Sequence, residues 1–266
     1  MENITKLVLP MAGMGKRLRP LTLKMPKALV PLAGRPLLSH ILEEATESGI
    51  KKVFFIISPQ HAPHFREYMK IAASLFPSLD IATRFQERAY GNGHAILEAA
   101  SYLHEPFAVR YCDDVLLDDE PVLKSLVSRF ARYRAPIITL LRIPRRDISR
   151  YGVVAVEKSI GDSIHKLRGI IEKPNVLEAE RNREKLSNLA VMGAYIVTPK
   201  IIGHLKNISP YAPELDDALT LTAGFHEELM AGGSVYGWEF SGKRLDCGTL
   251  EGFLEAEEHL TLGGSR

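Results

Sequence analysis

Glycines and basic side chains follow the first apolar run of the chain: Gly13-Met14-Gly15-Lys16-Arg17-Leu18-Arg19-Pro20, then Lys24-Met25-Pro26-Lys27. Glycines after a strand let backbone N–H groups approach phosphate oxygens, and Arg17 and Lys27 have the charge to neutralise a polyphosphate. The other reading is a glycine-rich turn with a solvated basic face. A Walker A loop is excluded because no Gly-Lys-Ser/Thr follows at the required spacing. The dinucleotide fingerprint is excluded because its third glycine would be Leu18.

Four further clusters carry chemistry. Cys112-Asp113-Asp114 closes the apolar run Phe107–Tyr111. A carboxylate at the carboxyl end of a strand sits where α/β sheets bind ligands, and Asp is a hard ligand suited to Mg²⁺; alternatively the pair caps a loop. Gly242-Lys243-Arg244-Leu245-Asp246-Cys247-Gly248 sets one carboxylate between a basic pair and a glycine, and reads equally as a turn before a helix. In Glu172-Lys173-Pro174, the Lys could meet a phosphate and the Glu could accept hydrogen bonds from hydroxyls, or the two form an exposed ion pair. Gln86 with Tyr90-Gly91-Asn92-Gly93-His94-Ala95 offers a side-chain amide and close backbone, which suits the edge of a base. His94 is given no catalytic role.

The elements that must position these residues alternate in type. Leu7–Ala12, Val53–Ile57, Ile81–Phe85, Phe107–Tyr111 and Ile137–Ile143 read as strands. Helical spacing over Leu37–Ala45 stops at Gly49, and helices are expected over His61–Leu75, Gly93–Leu103 and Val122–Tyr133. Strand–helix alternation points to βαβ units and a largely parallel sheet. From Tyr151 the texture changes: Tyr151–Val156, Lys166–Ile171 and Leu189–Val197 read as successive strands, and a helix over Leu250–Leu260 follows. The expected architecture is α/β, with a mixed, mostly parallel central sheet flanked by helices. It forms one domain over 1–266, its halves at about 1–145 and 146–266 meeting at a sugar-sized cleft.

Composition narrows the function class. A net charge of +2 over 266 residues lacks the basic excess of a nucleic-acid-binding surface. No apolar run is long enough to span a bilayer. The N-terminal stretch lacks the features of a signal peptide, so the chain reads as cytosolic. Two cysteines, Cys112 and Cys247, far apart and without CxxC spacing, imply neither a disulfide framework nor a zinc site.

In their order along the chain these clusters resemble a known family. LPMAGMGKRLRPLTLKMPKALVPLAGRPLL is similar to the signature of the sugar-1-phosphate nucleotidyltransferases, GxGxRxxPxTxxxPKxxxPxxxxP. QERAYGNGHAI, EKP, GAYIVTP and GKRLDCGTLEGFLEAE resemble the bacterial UTP–glucose-1-phosphate uridylyltransferase branch, and the similarity runs from Leu9 to about Glu257. The resemblance implies a Rossmann-like nucleotidyltransferase fold. It also implies in-line attack of a sugar 1-phosphate on the α-phosphorus of a nucleoside triphosphate, with pyrophosphate leaving. In such a reaction positioning and charge neutralisation do most of the work.

Carried over by position, Ala12 and Gly13 would meet the base, Gly15 would pass the triphosphate, Arg17 would hold the β- and γ-phosphates, and Lys27 the reacting end. Gln86 would read the uracil edge, with Gly91 packed under base or ribose. Asp113 and Asp246 would hold Mg²⁺. Glu172 would accept from sugar hydroxyls, Lys173 would bind the sugar phosphate, and Gly152 would line the sugar pocket. The partners expected are UTP and a sugar 1-phosphate, with no nucleic acid and no membrane, in a homo-oligomer.

Three departures bear on substrates. Lys16 stands where the family usually has Thr. Ala28 removes a carboxylate from the branch's PKEMLP, giving a form shared with guanylyl- and other uridylyltransferases. Glu214-Leu215-Asp216-Asp217-Ala218-Leu219 replaces QLTDAI. The same chemistry with GTP and mannose 1-phosphate, or with another sugar phosphate, therefore stays open. A non-catalytic sensor is the rival class; it would be expected to have lost the cations and carboxylates that are present here.

Overall fold

The computed structural model of the chain describes residues 4–161, 163–175, 186–208 and 219–262. The segment 214–218 of the third departure lies outside the described residues. In chain order the strands are β1 (Lys6–Pro10), β2 (Pro31–Leu32), β3 (Arg35–Pro36), β4 (Lys52–Ile57), β5 (Asp80–Phe85), β6 (Phe107–Arg110), β7 (Asp114–Leu117), β8 (Ile137–Arg142), β9 (Val153–Gly161), β10 (Ile164–Ile171), β11 (Leu189–Val197), β12 (Tyr236–Glu239) and β13 (Lys243–Asp246). The helices are α1 (Leu37–Glu47), α2 (Ala62–Leu75), α3 (Asn92–Leu97), α4 (Val122–Tyr133), α5 (Pro199–Asn207), α6 (Leu221–Met230) and α7 (Leu250–Leu262).

A nine-stranded sheet runs β5-β4-β1-β6-β11-β8-β12-β10-β9. Its first four strands are parallel, joined by helical crossovers. β11 enters antiparallel between β6 and β8, β12 lies parallel to β8, and β10 and β9 close the sheet antiparallel. The sheet is mixed, with parallel pairing concentrated in the N-terminal half.

The apolar runs are continuous because the central strands are covered on both faces. On β1 and β4, Leu7, Leu9, Val53, Phe55 and Ile57 point to one side, against Leu38, Ile41 and Leu42 of α1, Phe65 of α2 and Leu126 of α4. Val8, Phe54 and Ile56 point to the other, where Ile96 of α3, Ile201 of α5 and Phe225 of α6 lie. A period of two divides one strand between two cores.

A third cluster packs apart from both. Leu18, Val30, Leu32 and Leu37 from the N-terminal region meet Val115, Leu245 and Cys247, together with Phe253 and Ala256 of α7. Beneath it β7 and β13 form a two-stranded antiparallel ribbon that aligns Asp246 with Asp114. Two elements run differently from the sequence reading, and others are additional to it. The helix expected to Leu103 ends at Leu97 and gives way to a tight 3-10 turn over Ala100–Tyr102. β9 continues to Gly161 through Glu157-Lys158-Ser159-Ile160, exposed residues whose pairing with β10 carries no apolar signal. β7, β12, β13, α5 and α6 are additional.

Candidate active site

The loop leaving β1 is held by its own turns. Gly15 is left-handed at φ 60°, and its carbonyl accepts from Leu18 N (3.0 Å) and Thr22 Oγ1 (2.8 Å). A Cβ there would lie 3.0 Å from Thr22 Cγ2 and 3.2 Å from Lys27 Cβ, so both the backbone angle and the space require glycine. Leu18, fully buried in the third cluster, anchors the next turn. Arg17 and Lys27 then face the end of β6.

There the backbone is pinned from below. Arg110, with no exposed surface, donates from Nε to Glu44 Oε2 (3.2 Å) and from one terminal nitrogen to the carbonyls of Tyr111 (3.2 Å) and Gly193 (3.4 Å). Glu44 also accepts from Leu123 N at the start of α4 (3.0 Å). Above this, Lys27 Nζ donates to Asp113 Oδ2 (2.8 Å), and the Asp113 carbonyl accepts from Cys247 N (2.8 Å).

Two cavities open here. The first, about 540 Å³, is lined by Ala12, Gly13, Gly15, Arg17, Lys27, Gln86, Gly91 and Asp113 among others. Lys16 and Ala28 also line it. The second, about 380 Å³, is lined by Gly152, Glu172, Lys173, Asp246, Arg17 and Asp113, with Tyr111, Asp114, Tyr151, Thr222 and Arg244. Arg17, Asn92, Tyr111 and Asp113 belong to both, so the cavities meet at the cation–carboxylate pair. Every residue singled out for a site role in the sequence lies on one of the two walls.

Their neighbours orient them. Gln86 follows β5, extends the ladder through Gln86 N to Ile57 O (2.9 Å), and donates from Nε2 to Gly91 O (2.9 Å). In the second cavity Thr220 caps α6 by accepting from Ala223 N (3.3 Å), which presents Thr222 in the first turn; Thr222 Oγ1 donates to Glu172 Oε2 (2.8 Å). Lys173 is left-handed at φ 42°, held by its N–H on Tyr151 O (3.1 Å). A non-glycine residue in that region stores about 1–3 kcal/mol of strain. Arg244 Nε meets Asp114 Oδ1 (2.7 Å), and one of its terminal nitrogens bridges that atom (2.6 Å) and Asp246 Oδ2 (3.1 Å). Asp114 Oδ2 accepts from Gly193 N (3.1 Å).

The two aspartates where the β6–β7 loop enters β7 are pushed apart electrostatically. Burial raises the Asp113 carboxyl, but the charge and hydrogen bond of Lys27, with Arg17 beyond, outweigh it and hold the group below the usual carboxylate range. Burial dominates at Asp114 and raises it despite Arg244. The thiols of Cys112 and Cys247 are pushed up to about 12, mainly by burial.

Among the described residues no three His, Cys, Asp or Glu side chains cluster as a metal site. Two carboxylates do converge. A Cβ on Gly248 would sit 2.6 Å from Asp246 Oδ1, 3.7 Å from Asp113 Oδ2 and 3.6 Å from Arg17 Nη2, so the bare glycine keeps a small cradle open between acid and base. That donor set, few and all oxygen, fits Mg²⁺, which keeps waters and shares its sphere with phosphates.

Tyr111, Asn92, Thr222 and Arg244 are wall residues that the sequence reading gave no role. Arg244 lies inside a motif singled out for its aspartate, whereas Thr222 sits in no motif and reaches the site through the cap of α6.

The two cavities, one bordered by the glycine-rich loop with Arg17 and Lys27 and the other by hydrogen-bonded polar side chains, share Arg17 and Asp113. The chain belongs to the nucleotidyl transferase family, which it matches over residues 6–262. It is similar to a UTP–glucose-1-phosphate uridylyltransferase of Mycoplasma pneumoniae, 32% identical over 98% of this chain and 94% of that protein. Among solved structures it is similar to a UDP-glucose pyrophosphorylase complexed with UDP-glucose (TM-score 0.84, 28% identity, 96% of this chain and 97% of that one). It is also similar to a UTP-bound UGPase from Acinetobacter baumannii (TM-score 0.81, 26% identity, 99% of this chain and 95% of that one). The protein is a sugar nucleotidyltransferase.

Proposed function

We propose that this enzyme joins UTP and glucose 1-phosphate to give UDP-glucose and pyrophosphate. The observation that carries the reading is the meeting of the two cavities at Arg17 and Asp113. Ligands seated in them would bring a phosphate of each to one point, which is the geometry an in-line displacement needs. A phosphate oxygen of the sugar 1-phosphate attacks the α-phosphorus, and the bond from that phosphorus to the bridging oxygen of the β-phosphate breaks. Pyrophosphate carries away the electron pair.

In the first cavity the backbone at Ala12 and Gly13 and the side chain of Gln86 take the base, with Gly91 beneath it. Gly15 lets the triphosphate pass close to the chain. Arg17 holds the β- and γ-phosphates, and Lys27 the phosphate at the reacting centre, so positive charge lies where negative charge develops. In the second cavity Glu172, oriented by Thr222, accepts from sugar hydroxyls, Gly152 lines the pocket, and Lys173 binds the sugar phosphate. Asp113 and Asp246 would hold Mg²⁺ across Gly248; when bound, the ion neutralises charge shared between the attacking and leaving phosphates. The enzyme works in the cytoplasm as a homo-oligomer, the N-terminal half of one domain serving the nucleotide and the C-terminal half the sugar.

The test is pyrophosphate release by purified protein with Mg²⁺, pairing UTP, dTTP, GTP, ATP and CTP with a panel of sugar 1-phosphates that includes glucose and mannose. Fastest release with UTP and glucose 1-phosphate is expected. Release confined to another pair would keep the chemistry and overturn the substrates.

A further inference from the structure

Gln86 does not hold its amide in place unaided. It lines the first cavity, 5% exposed, and behind it, off the cavity wall, stands His94 on the first turn of α3. Gln86 Nε2 lies 2.9 Å from Gly91 O and 3.3 Å from His94 Nδ1. A primary amide has two N–H groups; the Gly91 carbonyl takes one, and His94 Nδ1 takes the other in the tautomer that carries its proton on Nε2. Turning the amide over would set its oxygen against the Gly91 carbonyl and the imidazole lone pair. The amide oxygen takes no hydrogen bond among the described residues, so it is the group left for a ligand. The imidazole is itself fixed by the Tyr90 ring, which packs edge-on at 5.3 Å and whose hydroxyl accepts from Arg88 (2.8 Å); Glu98 Oε1, 3.5 Å from Nδ1, is beyond good hydrogen-bond distance and competes for that nitrogen only when it is protonated.

We infer that His94 is a positioning residue that locks the Gln86 amide with its oxygen toward the base, and so selects a pyrimidine carrying N–H at ring position 3 over one carrying a lone pair there. Uracil presents that donor; cytosine presents the lone pair. The inference rests on the first cavity being the nucleotide site. It also divides the labour: the carbonyl of Gly91 holds one N–H whatever the side chains, while His94 holds the second and can be removed.

The experiment is calorimetric binding of UTP and of CTP, which requires no turnover, to the unaltered protein, His94→Leu and His94→Asn. Leu fills the volume without an acceptor; the Asn side-chain oxygen stands near the place of Nδ1. Loss of one hydrogen bond's worth of orientation predicts that the preference for UTP over CTP falls about threefold to tenfold in H94L and is retained in H94N. A purely structural histidine would weaken both nucleotides alike and leave the ratio unmoved. An unchanged ratio in H94L, or equal binding of the two nucleotides by the unaltered protein, overturns the inference. Should H94L fail to fold, His94→Ala carries the same expectation. Failure of the proposed reaction is separable: it appears as UTP binding without pyrophosphate release. Absence of binding by either nucleotide would overturn both readings.

Discussion

The two cavities are built on different terms. Much of the first is walled by backbone and small residues, Ala12, Gly13, Gly15, Ala28, Gly91 and Ala95, with Gln86 and the cations Lys16, Arg17 and Lys27 among its side chains. The second is walled by side chains that hold one another, Thr222 on Glu172 and Arg244 on Asp114 and Asp246. A backbone wall presents donors whose positions are set by the fold, and it changes only when the fold changes. A wall of linked side chains is retuned by single substitutions. On the proposed assignment of the cavities, the difference places tolerance for new sugars in the second and constancy of the phosphate chemistry in the first.

Among the four residues shared by both, substituting Asp113 is expected to have the largest effect. Asp113→Asn keeps the shape and removes the charge that answers Lys27, and is expected to lower kcat at least about a hundredfold. UTP affinity measured by calorimetry should change little. Near-normal turnover would show that the seam does not carry the chemistry. Because this carboxyl is depressed in the folded chain, its ion pair contributes stability above the unfolded value near 3.8 and loses it as pH falls through the folded value.

A change confined to the second cavity should be smaller and one-sided. Lys173→Gly removes the ammonium and relieves the left-handed backbone at once. KM for the sugar phosphate is expected to rise at least about tenfold with KM for the nucleotide nearly unchanged, while thermal unfolding shifts upward by roughly 0.5–1 kcal/mol of stability. Equal changes in both KM values would erase the distinction between the cavities. The smallest effect is a silence. With thiols near 12, about one in a thousand is ionised at pH 9, so neither Cys112 nor Cys247 should react with iodoacetamide at that pH until the chain is unfolded, when both should. Rapid labelling of Cys112 in the native protein would mean that the floor of the first cavity opens.

The same contrast governs what the sequence made legible. The first cavity was readable because one contiguous stretch, Gly13 to Lys27, supplies most of its cations and glycines, and because the strands feeding it are buried on both faces and stand out as apolar runs. Asp113 stood out at a strand end, where it read equally as a loop cap, and only the resemblance to the family gave it a role. Glu172 and Lys173 were visible as residues, but Thr222 was not: its role comes from the cap of a helix folded against them from far along the chain. Arg244 was seen only as part of a basic pair, since nothing local says that a guanidinium will span two carboxylates. β7 and β13 escaped notice for the same reason. Each is four residues long and becomes a strand only by finding the other.

That ribbon has a consequence in time. The phosphate loop leaves the ribosome early, and the sheet that carries it can begin to close around Leu7, Phe54 and Val109. Asp246 and Arg244 follow long afterwards, and Leu18 and Leu32 must wait for Phe253 and Ala256 of α7 before their own packing is complete. A growing chain therefore holds the glycine-rich loop well before it holds the residues that complete that loop's packing and the wall of the first cavity. The ribbon closes only when β13 pairs with β7, so the register that sets Asp246 beside Asp114 and the packing around Leu18 are completed by the same late-made segment.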